Sequence, residues 1–280
     1  MDPVQIILLG LLLPACVAGT ALALALLTRK EGSVPALGWA IALGFGVSYV
    51  VMLGWTWPPR EATHWLAYIA LAGAAASTLE AQTTRFLWPI LVRLLVCAGA
   101  VALLLRLPLQ HTWSPAEGAL LVAIVAGVIT LAWTLADALA RRERSSASAF
   151  LLGLNAAAAG AALLLAGNAK GIQLAAALGA GILVWWVFAQ RFESLRSTRG
   201  GVGVPILMIG ALVTIGTFLA DMPRATAILL VLAPVGGWAA RFPWIRSKPG
   251  VAKACRYLVP ILLAGAGVLL GVDLSDSSGY

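Results

Sequence analysis

Long apolar runs separated by short polar stretches dominate the pattern of the chain. An α-helix that crosses a bilayer needs ~20 residues, and ten runs are long enough or nearly so. They cover residues 4–28, 34–56, 59–79, 86–105, 115–139, 147–167, 171–190, 203–220, 224–240 and 255–272. The pattern predicts an all-α integral membrane protein of about ten transmembrane helices, with residues 1–280 forming a single polytopic transmembrane domain.

Composition supports this interpretation and excludes two others. Hydrophobic residues make up 61% of the chain and charged residues only 11%, whereas soluble domains carry about 25% charged residues. The net charge of +8 does not indicate nucleic-acid binding, because the basic residues form short clusters between apolar runs and not one continuous patch. The lipid bilayer is the expected partner.

The distribution of Lys and Arg predicts the orientation. Of the 19 basic residues, Arg93 lies inside a run, and one set of alternate loops holds only Arg60, Arg106, Lys170 and Arg224. All the others lie in the opposite set, which the positive-inside rule assigns to the cytoplasm. Both termini are then outside the cytoplasm. The Ala-, Gly- and Arg-rich composition suggests a bacterial inner (plasma) membrane.

Ten helices divide into two sets of five, and an odd number per half makes the halves inverted, as in many secondary transporters. Short echoes keep helix order: Ala42–Gly46 in the second run resembles Ala177–Gly181 in the seventh. Such matches also arise by chance in a chain rich in Ala, Leu and Gly. Inverted repeat halves at 1–144 and 145–280 are therefore a hypothesis.

The most informative polar residue is Arg93, about two turns inside the fourth run. A charge at the centre of a membrane helix costs at least ~2.5–3.5 kcal/mol, so Arg93 should face protein or water. Glu80 and Asp137 are expected at a similar depth, and an intramembrane polar cluster of Glu80, Arg93 and Asp137 is the candidate site. In the alternative, Arg93 extends to the headgroups and Asp137 pairs with Arg141.

Two further features concern the helices themselves. Pro234, Gly236 and Gly237 mark a candidate helix break in the ninth run, because proline removes a backbone hydrogen bond. Small residues four apart, such as those at Gly267 and Gly271, allow close helix packing. Such faces serve either packing within the chain or contact with other membrane subunits or a second copy.

Other chemistry has little support. Glu61, His64, His111 and Glu117 match no trusted zinc spacing, and Ser114 with Glu117 is better explained as a capping box. The three cysteines are far apart, and no catalytic or nucleotide-binding motif occurs. We therefore expect no enzyme activity, no metal and no cofactor. The leading hypothesis is a small-solute transporter or permease; the alternative is a non-catalytic structural or accessory subunit of a larger membrane complex.

Overall fold

A computed structural model describes residues 8–28, 34–82, 87–143, 146–196 and 201–277. These ranges are almost wholly helical and contain no strand. Their ten main helices are α1 Leu13–Thr28, α2 Val34–Leu53, α3 Leu66–Ala81, α4 Leu87–Leu104, α5 Pro115–Glu143, α6 Ala147–Leu165, α7 Ala169–Arg191, α8 Gly203–Leu219, α9 Arg224–Leu232 and α10 Pro249–Ser277. A π-helical turn, Leu8–Leu12, precedes α1. Short 3₁₀ segments, among them Ala62–Trp65 and Ala233–Arg241, and two short helices complete the described structure.

Among the described residues, seven helices are long and apolar enough to cross a membrane: α1 with its π-helical turn, α2, α4, α5, α6, α7 and α10. Large apolar side chains are exposed along them, for example Leu95, Ile124 and Leu262, each more than half exposed. Apolar surface of this kind suits lipid as the surrounding solvent. The architecture is that of an α-helical membrane protein.

The prediction of ten helices of spanning length is wrong for three of them, which are shorter, each for its own reason. Helix α3 begins only at Leu66, because the proline-rich stretch before it forms turns and the 3₁₀ segment Ala62–Trp65. Helix α8 has 17 residues and is buried by its neighbours over Gly203–Gly216. Helix α9 has nine residues, because the α-helix ends at Leu232 and the chain continues as a 3₁₀ segment.

Contacts between connecting segments divide the molecule into two ends. One end carries the loops rich in Lys and Arg and is called the basic end. There Arg241 pairs with Glu143, and Gln190 donates a hydrogen bond to Ser146. At the opposite end, Lys170 pairs with Glu61. There Trp113, just before α5, also contacts Phe218 near the end of α8.

The three shorter segments also run between these two ends. Tyr68 in α3 contacts Trp55 at the opposite end, while Glu80 at the other end of α3 reaches Arg93. Helix α8 begins beside Trp133 near the basic end, and the segment that starts as α9 ends at Arg241. Consecutive main helices therefore alternate in direction.

Close packing around α8 forms the core of the bundle. Gly73 in α3 and Gly210 in α8 leave room for Leu207 and Ile129, which would lie 2.9 Å and 2.8 Å from an added Cβ. Helix α8 therefore packs closely against both α3 and α5, because a glycine lies at each contact. This arrangement fixes the two helices that carry the acidic groups described next.

Candidate functional site

Arg93 joins three helices through its guanidinium group. Its Nε donates to Glu80 Oε1 at 2.7 Å, and its Nη2 donates to Glu80 Oε2 at 2.6 Å. The same Nη2 donates to Asp137 Oδ2 at 2.7 Å. The fork of donors in arginine matches a carboxylate in two places, which fixes direction as well as charge. The basic-end halves of α3, α4 and α5 are therefore held together by one side chain.

This cluster is buried. Arg93 is 3% exposed, and Glu80 and Asp137 are fully buried. Arg141, one turn after Asp137, adds a second cation at 3.1 Å from Asp137 Oδ2 and is 42% exposed. Two carboxylates are thus matched by two guanidinium groups, one inside and one at the surface. Asp137 Oδ1 accepts no hydrogen bond from any described residue, so the cluster keeps one buried acceptor atom without a donor.

Both sequence-based interpretations of these residues find a counterpart in the geometry. The structure brings Glu80, Arg93 and Asp137 together, and it also forms the pair between Asp137 and Arg141. Arg93 lies about 9 Å along α4 from Leu87 at 1.5 Å per residue, and its guanidinium turns toward protein, not toward the surface.

Sequence reasoning missed Trp133, which lies one turn before Asp137 on α5. The Arg93 guanidinium is 5.5 Å from the centroid of the Trp133 ring, a cation–π distance. Trp133 itself is fully buried and packs against Gly203, where α8 begins. The four-residue spacing between Trp133 and Asp137 places both on one helix face and was a usable signal.

An apolar cavity of about 340 Å³ lies further along the same face of α5. Val125, Val128 and Ile129 of α5 line it, together with residues of α8 and α9. Ile129 precedes Trp133 by one turn and Asp137 by two turns, so the ring and the ion pairs lie between the cavity and the basic end. Trp133, Arg93 and Asp137 are not among the residues that line the cavity.

The candidate break at Pro234, Gly236 and Gly237 coincides with the end of regular α-helix in α9. The α-helix stops at Leu232, and Pro234 lies at the start of the 3₁₀ segment Ala233–Arg241. Gly236 and Gly237 are close to α10 and α5, since an added Cβ would lie 2.9 Å from Leu263 and 2.8 Å from Leu139. The glycines allow this irregular segment to pack tightly.

A third buried carboxylate, Glu143, holds this segment at the basic end. It is 4% exposed and pairs with Arg241 at 3.1 Å and with Arg256 of α10 at 2.6 Å. Arg142 lies 5.1 Å from the ring centroid of Trp238, whose Nε1 donates to the Leu135 oxygen at 3.0 Å. Sequence reasoning did not identify Glu143.

The histidines and acids considered for zinc do not assemble. His64 lies beside Glu61, which instead pairs with Lys170 at 3.0 Å, and this contact lowers the pKa of Glu61. Glu117 accepts hydrogen bonds from the backbone and hydroxyl of Ser114. Within the described ranges no three His, Cys, Asp or Glu side chains converge as a metal site.

No protein-family model, curated protein or solved structure matches this chain. The residues and their geometry are therefore the basis for any statement about function.

Proposed function

We propose that the protein is a transporter or permease, and that the Glu80–Arg93–Asp137 cluster closes its pathway at the basic end. The observation that carries the proposal is the position of this cluster two helical turns from the apolar cavity along one face of α5. A cavity in one half of a bundle and an ionic closure in the other half suit alternating access.

The cost of the cluster supports a role beyond packing. Well-packed apolar side chains are often as stable as a buried ion pair, or more stable. Ionisable groups inside a membrane bundle commonly mark pathways or relays. Ion pairs between α3, α4 and α5 can also separate when those helices move, with solvent or ligand replacing the lost partners. A reversible closure uses this property.

The proposal includes ten crossings, with the basic end in the cytoplasm of a bacterial inner membrane. At 1.5 Å per α-helical and 2.0 Å per 3₁₀ residue, the segments 62–81 and 224–241 each extend about 31–32 Å, close to the ~30 Å hydrocarbon core. Helix α8 reaches about 26 Å by the same rise. Its enclosure by other helices relaxes the need to match lipid thickness.

The irregular end of α9 adds a second feature that transporters share. Discontinuous helices expose backbone groups in such folds and supply sites of movement. A division into inverted halves at 1–144 and 145–280 remains part of the hypothesis. Superposition of α1–α5 on α6–α10, with one half inverted relative to the other, would test it.

The alternative is an accessory subunit without its own transport activity. One argument for that class was the supply of small-residue helix faces. Several of these faces pack inside the chain: Gly19 faces Val184, Gly160 faces Ala175, and Gly267 faces Leu229 and Leu230. They are therefore occupied within this chain, which favours an autonomous unit.

Thiol accessibility tests the closure without knowledge of the substrate. In a variant lacking Cys16, Cys97 and Cys255, Thr130→Cys places one thiol on α5 between the cavity-lining Ile129 and Trp133. We expect a membrane-impermeant maleimide applied at the basic end to label it slowly. Adding Glu80→Gln, Arg93→Gln and Asp137→Asn should raise the rate at least tenfold, because the neutral groups no longer hold α3, α4 and α5 together.

Arg141→Gln in the same background is the matched control, and it should change the labelling rate by less than a factor of about two because Arg141 is partly exposed. Equal labelling with and without the buried charges would contradict the closure. The proposed sidedness has its own test: Gln110→Cys should react from outside intact cells, and Gln82→Cys should not.

Uptake of a metabolite mixture into proteoliposomes, measured by mass spectrometry, tests transport itself. Wild-type protein should accumulate at least one compound above protein-free liposomes, and the neutral triple variant should not retain normal uptake. Native mass after gentle solubilisation separates the two classes of function. Stoichiometric binding of other polypeptides, together with no uptake, would replace this proposal by the accessory-subunit alternative.

A further inference from the structure

The cavity between α5, α8 and α9 is lined almost entirely by apolar side chains. Its polar contributors are Thr214, Thr217 and Arg224. Thr214 and Thr217 donate their hydroxyl protons to backbone oxygens of α8, at 2.7 Å and 2.9 Å. They therefore offer few new hydrogen bonds to a ligand. A fully hydrophilic solute would lose its hydration here without replacement partners.

The cavity opens toward the side of the bundle. Ile124 of α5 and Ile228 of α9 both line it and are both more than half exposed. Their helices belong to the apolar part of the chain, where the surrounding medium is lipid under the proposed topology. The opening between α5 and α9 is thus a lateral entrance for an acyl chain.

Arg224 lies at the end of the cavity that is farther from the basic end. It makes no hydrogen bond or ion pair with any described residue, and neither Asp221 nor Glu117 pairs with it. Helix α9 starts at Arg224 without a side-chain cap. Its first backbone N–H groups add positive potential at the same place. An anion is the chemical complement of this mouth.

We infer that this cavity binds an anionic phospholipid, with one acyl chain between α5 and α9 and the headgroup at Arg224. From Leu121 to Ile129 the lined face of α5 extends about 12 Å, close to the ~15 Å hydrocarbon depth of one leaflet. A volume of about 340 Å³ falls within the usual range for ligand pockets. This binding goes beyond the proposed transport and does not depend on it.

Native mass spectrometry of the full-length protein, delipidated in detergent, tests the inference. The probes are phosphatidylglycerol and phosphatidylcholine with identical acyl chains. We expect phosphatidylglycerol to be retained at least fivefold more than phosphatidylcholine. Arg224→Gln should reduce that ratio to near one, whereas Arg106→Gln, an exposed arginine outside the cavity at the same end, should leave it unchanged.

Ala227→Phe tests the acyl-chain half of the site, because it fills the cavity without changing charge. It should lower retention of phosphatidylglycerol several-fold, and a phosphatidylglycerol with a photoreactive acyl chain should label peptides of α5 or α9 less in this variant. Equal retention of the two lipids by wild-type protein, or a preference unaffected by Arg224→Gln, would overturn the inference. Neither result would alter uptake or the Arg93 closure, so the two proposals fail separately.

Discussion

Asn155 donates a hydrogen bond from Nδ2 to the backbone oxygen of Leu230 at 2.9 Å, in the place of the N–H that Pro234 lacks. In a continuous α-helix, residue 234 would donate to the carbonyl of residue 230. Proline has no N–H, so that carbonyl would otherwise stay unpaired inside the bundle. Asn155 of α6 supplies the donor from a neighbouring helix. The break in α9 is therefore supported by a specific tertiary contact.

This relationship predicts a double-mutant effect. Asn155→Leu should lower the free energy of unfolding by about 1–3 kcal/mol, because a buried carbonyl loses its donor. Thermal unfolding in detergent, followed by tryptophan fluorescence, measures the change as a lower apparent melting temperature. In the Pro234→Ala background the backbone N–H returns, so Asn155→Leu should cost clearly less there. An equal loss in both backgrounds would refute the relationship.

Removal of the buried cation should be far more damaging than removal of the surface one. Arg93→Gln leaves Glu80 and Asp137 buried beside a neutral group, which costs about 3–5 kcal/mol. Arg141→Gln should cost about 1 kcal/mol or less, because Arg141 is partly exposed. Apparent melting temperature and the yield of monodisperse protein measure both variants. Adding Glu80→Gln and Asp137→Asn to Arg93→Gln should recover much of the lost stability.

That recovery separates stability from function. The neutral triple variant is expected to fold and still to lose the closure tested by thiol labelling. A triple variant as unstable as Arg93→Gln alone would show that unpaired charge is not the cause of the destabilisation.

The contact between Trp133 and Gly203 predicts a strict size limit where α8 begins. A Cβ at residue 203 would lie 2.7 Å from Trp133 Cε2 and 2.9 Å from Ser77 Oγ. Gly203→Ala should therefore destabilise the protein by about 1–3 kcal/mol and displace the ring from Arg93. Apparent melting temperature measures this loss, and the labelling rate of Thr130→Cys measures the displacement.

Gly127→Ala is the matched control on α5, because nothing lies within 4 Å of its added Cβ. It should be neutral or stabilising by about 0.5–1 kcal/mol through lower backbone entropy in the unfolded state. Equal destabilisation by the two alanine substitutions would argue against crowding at Trp133.

The pair between Glu61 and Lys170 predicts a small dependence of stability on pH. The hydrogen bond from Lys170, followed by its positive charge, lowers the pKa of Glu61 below its ordinary value of 4.5. The stabilisation is then complete above that ordinary pKa and is lost as the pH falls through the lowered one. Both side chains are about half exposed, so solvent screening limits it to ~1 kcal/mol or less.

Lys170→Gln provides the comparison for that pair. The wild type should have the higher apparent melting temperature at pH 7, and the difference should shrink as the pH falls below 4.5. A difference that stays constant across this range would mean that ionisation of Glu61 is not involved.

Local features of the chain were accessible from the sequence because they depend on near neighbours. The capping box predicted at Ser114 and Glu117 forms, with Glu117 Oε2 accepting from the Ser114 backbone at 3.0 Å. The pair between Asp137 and Arg141 follows from helical spacing in the same way. The contact of Arg93 with Glu80 was suggested by depth alone, and its two-point geometry depends on the packing of α3 against α4.

By itself the sequence determined that this is a helical membrane protein, because the cost of unsatisfied backbone groups in lipid makes long apolar runs helical. It also located the basic loops, the buried arginine and the proline break. Tertiary structure decided which helices reach spanning length and which carbonyl Asn155 binds. It likewise decided that Trp133 and the Arg93 ion pairs lie between the cavity and the basic end. These outcomes depend on how helices far apart in the chain pack, and periodicity along one segment carries no information about its distant neighbours.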